Sequence, residues 1–372
     1  MQDAAYGTLL KPRRQQLHAR IAEVLEQQFP ETAEVQPELL AHHFTEAGLM
    51  TAATAYWRKA GQRSVAYSAT EEAVAQLTRG LEVLKGLPNS EERARRELEL
   101  QVTLSDALRS AKRYGNELEL AYRRARELCE QLGEISLLVQ VVYGQYVVTF
   151  NRPNVPAAAK LAEELRRIAC EHENSAASVL GEQAFGNACF ARGNLSAAQS
   201  HLERALASPH RGRQRVTLAY AQYPAVSLMY LSWALFALGY PDQARDRCNE
   251  ALAEARQAPP LTLALTLENA LCLDVLRRDE QAVWEHADAL SSFATERGIY
   301  LNAAKLAQGW ALAHRDPISE GIAMMQEGMS ALWAAGMRVQ APCQLALLAE
   351  AYVQLKAMHE GLRCIGEALA GC

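Results

Sequence analysis

Gly186-Asn-Ala-Cys-Phe-Ala-Arg-Gly193-Asn-Leu-Ser-Ala-Ala198-Gln-Ser-His-Leu202-Glu-Arg-Ala205 contains two helices and the turn between them. A small residue sits in the first helix and Gly-Asn supplies the turn. The second helix then carries a small residue, a bulky one four later and a small one three after that. Positions three and four apart share one face of a helix. The pattern therefore describes two helices in close contact, with Leu202 filling the space beside the small residues.

The same pattern recurs downstream. Gly186, Gly193, Ala198, Leu202 and Ala205 correspond to Ser232, Gly239, Ala244, Cys248 and Ala251. Then come Ala270, Ala282, His286 and Ala289, followed by Gly309, Asp316, Gly321, Met325 and Gly328. The last copy holds Leu348, Ala349, Tyr352, Gly361, Ile365 and Ala368. Successive anchors lie about 38 to 46 residues apart, against ~34 in the tetratricopeptide repeat, whose internal spacing they share. More worn copies precede these at Tyr114-Gly115 into Ala121, and at Pro156 into Leu165. The fold expected is all-α: a tetratricopeptide-like superhelical solenoid of antiparallel helix hairpins.

The turns are punctuated as such an array requires. Pro241 after Gly-Tyr suits a first helical position, Asp316-Pro317 resembles it, and Asn89-Ser90-Glu-Glu has the form of a capped start. Residues 1–90 are expected to form an N-terminal helical segment leading into the array, and 91–207 the first repeats. Residues 208–223, with Pro209 and Gly212, form a long connector, either a functional protrusion or an inert insertion. Residues 224–372 continue the repeats as one solenoid.

Bulk composition fits helix: of 372 residues, 49% are hydrophobic, 22% charged and 7% aromatic. A formal net charge of -5 gives no polycation character for nucleic acid. Arg211, Arg213 and Arg215 read as a solvated loop. Eight cysteines are scattered with no C-x-x-C, and most, such as Cys189, Cys272 and Cys364, read as small buried hydrophobes in a reducing cytosol. No run reaches the ~18 apolar residues of a membrane span, and Met1 to Tyr6 shows no secretion pattern. A cytoplasmic location is expected, with no membrane and no nucleic-acid partner.

The chemistry of a catalyst is missing from the pattern. There is no Gly-Lys dipeptide and hence no phosphate loop of the G-x-x-x-x-G-K-[ST] kind, no H-E-x-x-H and no G-x-S-x-G. His42 and His43 are adjacent, about 100° apart on a helix, and read as packing or capping rather than as chelators. No catalytic residue, cofactor or metal site is expected. What remains is surface. Counting from the repeats, the groove-facing first-helix positions are Gln183, Asn187 and Phe190, then Met229, Trp233 and Phe236. Further on they are Leu267, Leu271 and Asp274, then Leu306 and Trp310, then Ala346, Glu350 and Val353. Trp233, Phe236 and Trp310 are either anchors for a partner peptide or core between hairpins, and the pattern leaves both open. The last helix carries Leu362, Ile365 and Leu369 as an apolar stripe suited to self-association.

Leu17-His18-Ala-Arg20-Ile21-Ala, Pro37-Glu-Leu-Leu-Ala-His-His-Phe44-Thr-Glu-Ala-Gly48 and Tyr56-Trp57-Arg-Lys-Ala-Gly61 resemble the tetratricopeptide-like C-terminal region of large bacterial signalling ATPases, often fused to class III adenylate/guanylate cyclase or protein kinase domains. The likeness continues through Leu238 to Ala244 and Leu345 to Tyr352. In that family the catalytic modules lie upstream, so the resemblance implies a detached or truncated sensor arm. The function expected is a non-catalytic scaffold that receives a protein or peptide partner. A small-molecule-sensing module and an oligomerisation element are the alternatives.

Overall fold

The computed structural model describes residues 10–67, 69–111, 113, 115–152, 154–207, 218–258, 260–293, 298–315, 317–338 and 340–371, without side chains for 218–223, 261, 298 and 299. Among them are nineteen helices and no strand. The chain divides into two compact units, Met1–Gly144 and Gln145–Cys372. The expected connector at 208–217, with Arg211, Arg213 and Arg215, lies outside the described residues, as do Tyr114, Asp316 and the first nine residues.

The first unit contains α1 (Lys11–Gln28), α2 (Pro30–Val35), α3 (Pro37–Ala47), α4 (Met50–Ala66), α5 (Thr70–Leu84), α6 (Glu91–Ser110) and α7 (Asn116–Leu132). Prolines open α2 and α3 at first-turn positions, where no backbone donor is lost. Gly48 closes α3 in the left-handed region at φ 78°. Leu40 and Phe44 anchor a core with Ala22, Ala53 and Val83, and Phe44 stacks on Tyr56 at 5.4 Å. Ser90 caps α6 by accepting from the Arg93 backbone N–H, as its sequence suggests.

The second unit begins within α8 (Ile135–Asn151), which is followed by α9 (Val155–Glu171). The later hairpins are α10 (Ser175–Ala191) with α11 (Leu195–Leu206), α12 (Leu218–Ala237) with α13 (Pro241–Arg256), and α14 (Pro260–Leu276) with α15 (Glu280–Ser292). Then follow α16 (Gly298–Ala313) with α17 (Ile318–Ala334), and α18 (Ala341–Gln354) with α19 (Met358–Ala370). The last six residues of the 208–223 segment belong to α12, and Pro224 sits inside that helix rather than ahead of it.

A single count from the N-cap generates the buried face of the second helices. Four, eight and eleven residues after Asn194 stand Ala198, Leu202 and Ala205, all buried. From Asn154 the count gives Ala158, Ala162 and Leu165, and from Tyr240 it gives Ala244, Cys248 and Ala251. From Pro317 it gives Gly321, Met325 and Gly328. In α15 the cap is Asp279, whose Oδ1 accepts from Ala282 N–H, and the count lands on Val283, Ala287 and Leu290. The expected register of Ala282, His286 and Ala289 is therefore one residue early, because the N-cap and not the first alanine fixes the helix rotation. In α19 the count reaches Gly361, Ile365 and Ala368, but Cys364 is buried and Ile365 is 39% exposed. In the other hairpins a following first helix packs against this edge, and no described helix follows α19.

The small residues do what their spacing implies. A β-carbon on Gly186 would lie 2.8 Å from Leu202 Cγ, and one on Gly309 would lie 2.7 Å from the Gly321 carbonyl oxygen. At α16–α17 backbone meets backbone, and the pair admits nothing larger than glycine without displacement.

Candidate functional site: the first-helix layer of the second unit

In the second unit the two helices of each hairpin have different surroundings. α10 exposes only Ser178 and its last residue, Ala191, and the described side chains of α12 expose only Ala237. α13 and α19, by contrast, bury one narrow stripe each. Contacts that skip a helix run along the first helices, from α10 to α12, α12 to α14, α14 to α16 and α16 to α18. Helices that approach each other in this way line the inside of a curve, so the first helices form the inner layer of this unit.

The inner layer holds a chain of aromatic rings. Tyr146 and Phe150 on α8 lie 5.5 Å apart, and Phe150 meets Tyr230 of α12 edge-on at 5.9 Å. Phe190 of α10 reaches both Tyr230 and Trp233 at 5.9 Å, and Tyr230 meets Trp233 at 4.9 Å. Such offset and edge-on pairs are favoured by the ring quadrupoles. Trp233 is 7% exposed, while Phe190 and Phe236 are half-buried against the same core. Gln183, Asn187, Met229 and Leu267 are buried.

A second, more polar cluster joins α14, α16 and α18. Trp310 is buried, and the His314 ring lies 4.5 Å from it, one helical turn on. The Arg278 guanidinium stands 5.5 Å from the indole centroid and donates to Glu350 Oε2 at 2.6 Å. His314 Nε2 lies 3.5 Å from Glu350 Oε1. Trp310 and Glu350 are both positions expected from the repeat pattern, and the structure brings them to one place. Arg278 and His314 are not legible as site residues from the repeats alone. Arg278 stands in its turn at φ 60°, where Gly193 and Gly239 stand in other hairpins at φ 75° and 91° and Glu173 and Lys356 at 49° and 60°, so the turn does not single it out. Asp274, one turn earlier on α14, is buried with Oδ2 2.7 Å from His286 Nδ1. Burial pushes its carboxyl above the usual range, opposed by the hydrogen bond from His286.

Several inner-layer polar atoms are buried with no hydrogen-bond partner among the described residues. They are Asn187 Oδ1 on α10, Ser227 Oγ and Trp233 Nε1 on α12, Thr262 Oγ1 on α14 and Trp310 Nε1 on α16. Each such group costs about 1–3 kcal/mol relative to a satisfied one. The α17–α18 turn reaches back to this layer, with Arg338 N–H donating to the Asn151 carbonyl at 3.1 Å and Gln340 accepting from Cys272 Sγ at 3.4 Å.

Among the described residues no group of three or more His, Cys, Asp or Glu side chains has the geometry to hold a metal ion. Burial raises the thiols of Cys129 and Cys248 to about 12, and also raises Cys189, Cys272 and Cys364, which makes them poor thiolates. No described helix is long and apolar enough to cross a membrane.

These features define an all-α helical-repeat protein of tetratricopeptide-like architecture. No protein-family model and no curated protein matches the sequence. Solved structures do. A Rap protein complexed with Competence and Sporulation Factor aligns with a TM-score of 0.67 at 14% identity, over 97% of this chain and 97% of that one. NprR in complex with its cognate peptide NprX aligns with a TM-score of 0.55 at 12% identity, over 89% of this chain and 91% of that one. The Rap conjugation gene regulator of the plasmid pLS20, in complex with the Phr* peptide, gives 0.54 at 12% identity, over 89% and 75%. Identities this low show a shared fold and nothing beyond it.

Proposed function

We propose that this chain is a non-catalytic helical-repeat receptor whose inner layer takes an extended peptide or a segment of a partner protein. The observation that carries this reading is the set of unpartnered polar atoms on α10, α12, α14 and α16. A receptor of peptide groups needs buried donors and acceptors that its own chain leaves unused, next to aromatic rings that supply apolar contact. The fold is shared with proteins solved with peptides bound, which supports the same reading. The sequence likeness to the sensor arm of signalling ATPases supports an ATPase, cyclase or kinase output for this receptor, with occupancy passed on through the thin interfaces between repeats.

The test separates folding from binding. Asn187→Leu and Ser227→Ala remove polar atoms that the protein does not satisfy, so the melting temperature stays level or rises. Peptides selected by the wild-type chain from a displayed library are expected to lose at least about tenfold in affinity for the double variant, near 1.4 kcal/mol. Equal binding by both chains rules out the inner layer as the receptor surface.

A second role has its own observation. Leu362 and Leu369 on α19 are 73% and 72% exposed, and with Ile365 they form an unpacked apolar stripe that supports weak self-association.

A further inference from the structure

Arg278 is placed as a ligand would be. It sits in the left-handed region at a turn position that Gly193 and Gly239 fill in two other hairpins and that Glu173 and Lys356 also fill. From there its guanidinium lies over the Trp310 ring and closes on Glu350 at 2.6 Å. A cation over an indole face with a carboxylate at its edge is a complete recognition set for guanidinium or ammonium. Three elements build it: Trp310 from α16 with His314 from the turn after it, Glu350 from α18, and the cation from the turn after α14. His314 holds the arrangement from the side, with its ring against the indole and its Nε2 near the second carboxylate oxygen.

Two further observations point to an outside ligand. The Trp310 indole is 1% exposed, and its Nε1 has no partner among the described residues, so the set retains an unused donor. The Arg278 side chain is itself half exposed, so it can withdraw into solvent without opening the core. Without Arg278 the carboxylate of Glu350 keeps its approach to His314 Nε2 at 3.5 Å.

We propose that Trp310, His314 and Glu350 form a subsite for a cationic side chain, arginine or lysine, of a peptide partner, and that Arg278 fills this subsite until such a peptide displaces it. This rests on the inner layer being a peptide receptor, and it names one residue class that the peptide carries. The exchange swaps one guanidinium for another over the same ring, while a carbonyl of the incoming peptide accepts from Trp310 Nε1. Arg278 then turns to solvent. The wild-type chain thus discriminates by competition: a cation offered alone is opposed by the tethered one, and a peptide with further inner-layer contacts overcomes it.

Arg278→Gly vacates the subsite with the residue the turn prefers, so it keeps the fold. N-acetyl-L-arginine amide is the probe, with the norleucine and glutamate amides as controls, read by tryptophan fluorescence and thermal shift. The variant is expected to bind the arginine amide at least tenfold more tightly than the wild type, to ignore the norleucine amide, and to lose the gain when Glu350→Gln is added. An Arg278→Gly chain with no arginine-dependent response, or one that responds equally to norleucine, overturns the proposal. So does a wild-type response to the glutamate amide that disappears in Arg278→Gly, since that marks Arg278 as the receptor of an anion. Library peptides that bind through Asn187 without any preference for a basic residue sink this proposal alone. Binding of the arginine amide to Arg278→Gly with no library peptide bound sinks the wider reading instead.

Discussion

His18 Nδ1 on α1 lies 2.7 Å from His43 Nδ1 on α3. One of the two nitrogens carries the hydrogen and the other accepts it, so protonating both rings breaks the contact. Burial lowers the pKa of His18, with Glu46 opposing the shift and His42 and Arg14 adding to it. Burial also lowers that of His43, helped by His18 and His42. A lowered folded pKa means stability that is complete above the ordinary value of 6.5 and is lost as pH falls through the folded value. The wild-type melting temperature is expected to drop between about pH 7 and pH 5, and His43→Asn is expected to flatten that slope. An unchanged slope in the variant removes the pair from the acid response.

Gly309 and Gly321 set the separation of α16 and α17. Gly309→Ala places a methyl 2.7 Å from the Gly321 carbonyl oxygen and 2.8 Å from Met325 N, both of them backbone atoms that cannot turn aside. The expected cost is about 1–3 kcal/mol, read from the denaturant midpoint. Gly366→Ala in α19 is the control, since nothing lies within 4 Å of its added carbon. There a gain of about 0.5–1 kcal/mol is expected, because alanine restricts the unfolded chain and favours helix.

The hairpins were legible because short-range chemistry writes them. Small residues at Ala198, Ala244 and Gly321 fall at one distance from the helix start, and that distance is a property of the helix alone. The slip in α15 has the same origin: an alanine looks like an anchor, but Asp279 caps the helix and rotates Val283 inward. Burial within the first helices was less legible. α10, α12 and α14 are covered by their own second helix, by neighbouring hairpins and by each other, so no polar face marks a groove side. Asn187 and Trp233 thus sit deep in the layer and not on its rim. The meeting of Arg278 with Glu350, or of His18 with His43, depends on how successive helices pack, and no local spacing encodes it.

Asp274 gives a test of sign. Its folded pKa is raised above the ordinary 3.8, so its contribution to stability is fully present below that value and is lost as pH rises through the folded one. Asp274→Asn stays neutral and can still accept from His286 Nδ1. The variant is expected to be more stable than wild type near pH 7, with the difference closing as pH falls towards about 4. Thermal melts across that range decide it. A variant less stable than wild type at pH 7 shows that the pairing with His286 outweighs the burial of the charge.

The α19 stripe separates solution behaviour from folding. Leu362 and Leu369 are 73% and 72% exposed, so replacing them removes almost no packing. Leu362→Glu with Leu369→Lys is therefore expected to change stability by no more than about 0.5 kcal/mol. The two charges stand seven residues apart, two turns along the face that also carries Ile365, and both must be desolvated if that face closes on a second copy. Light scattering over a concentration series is expected to show the wild-type mass rising above 41.0 kDa and the variant holding there. A wild-type mass that stays monomeric at high concentration removes self-association through α19. An equal rise in both chains moves it to another surface.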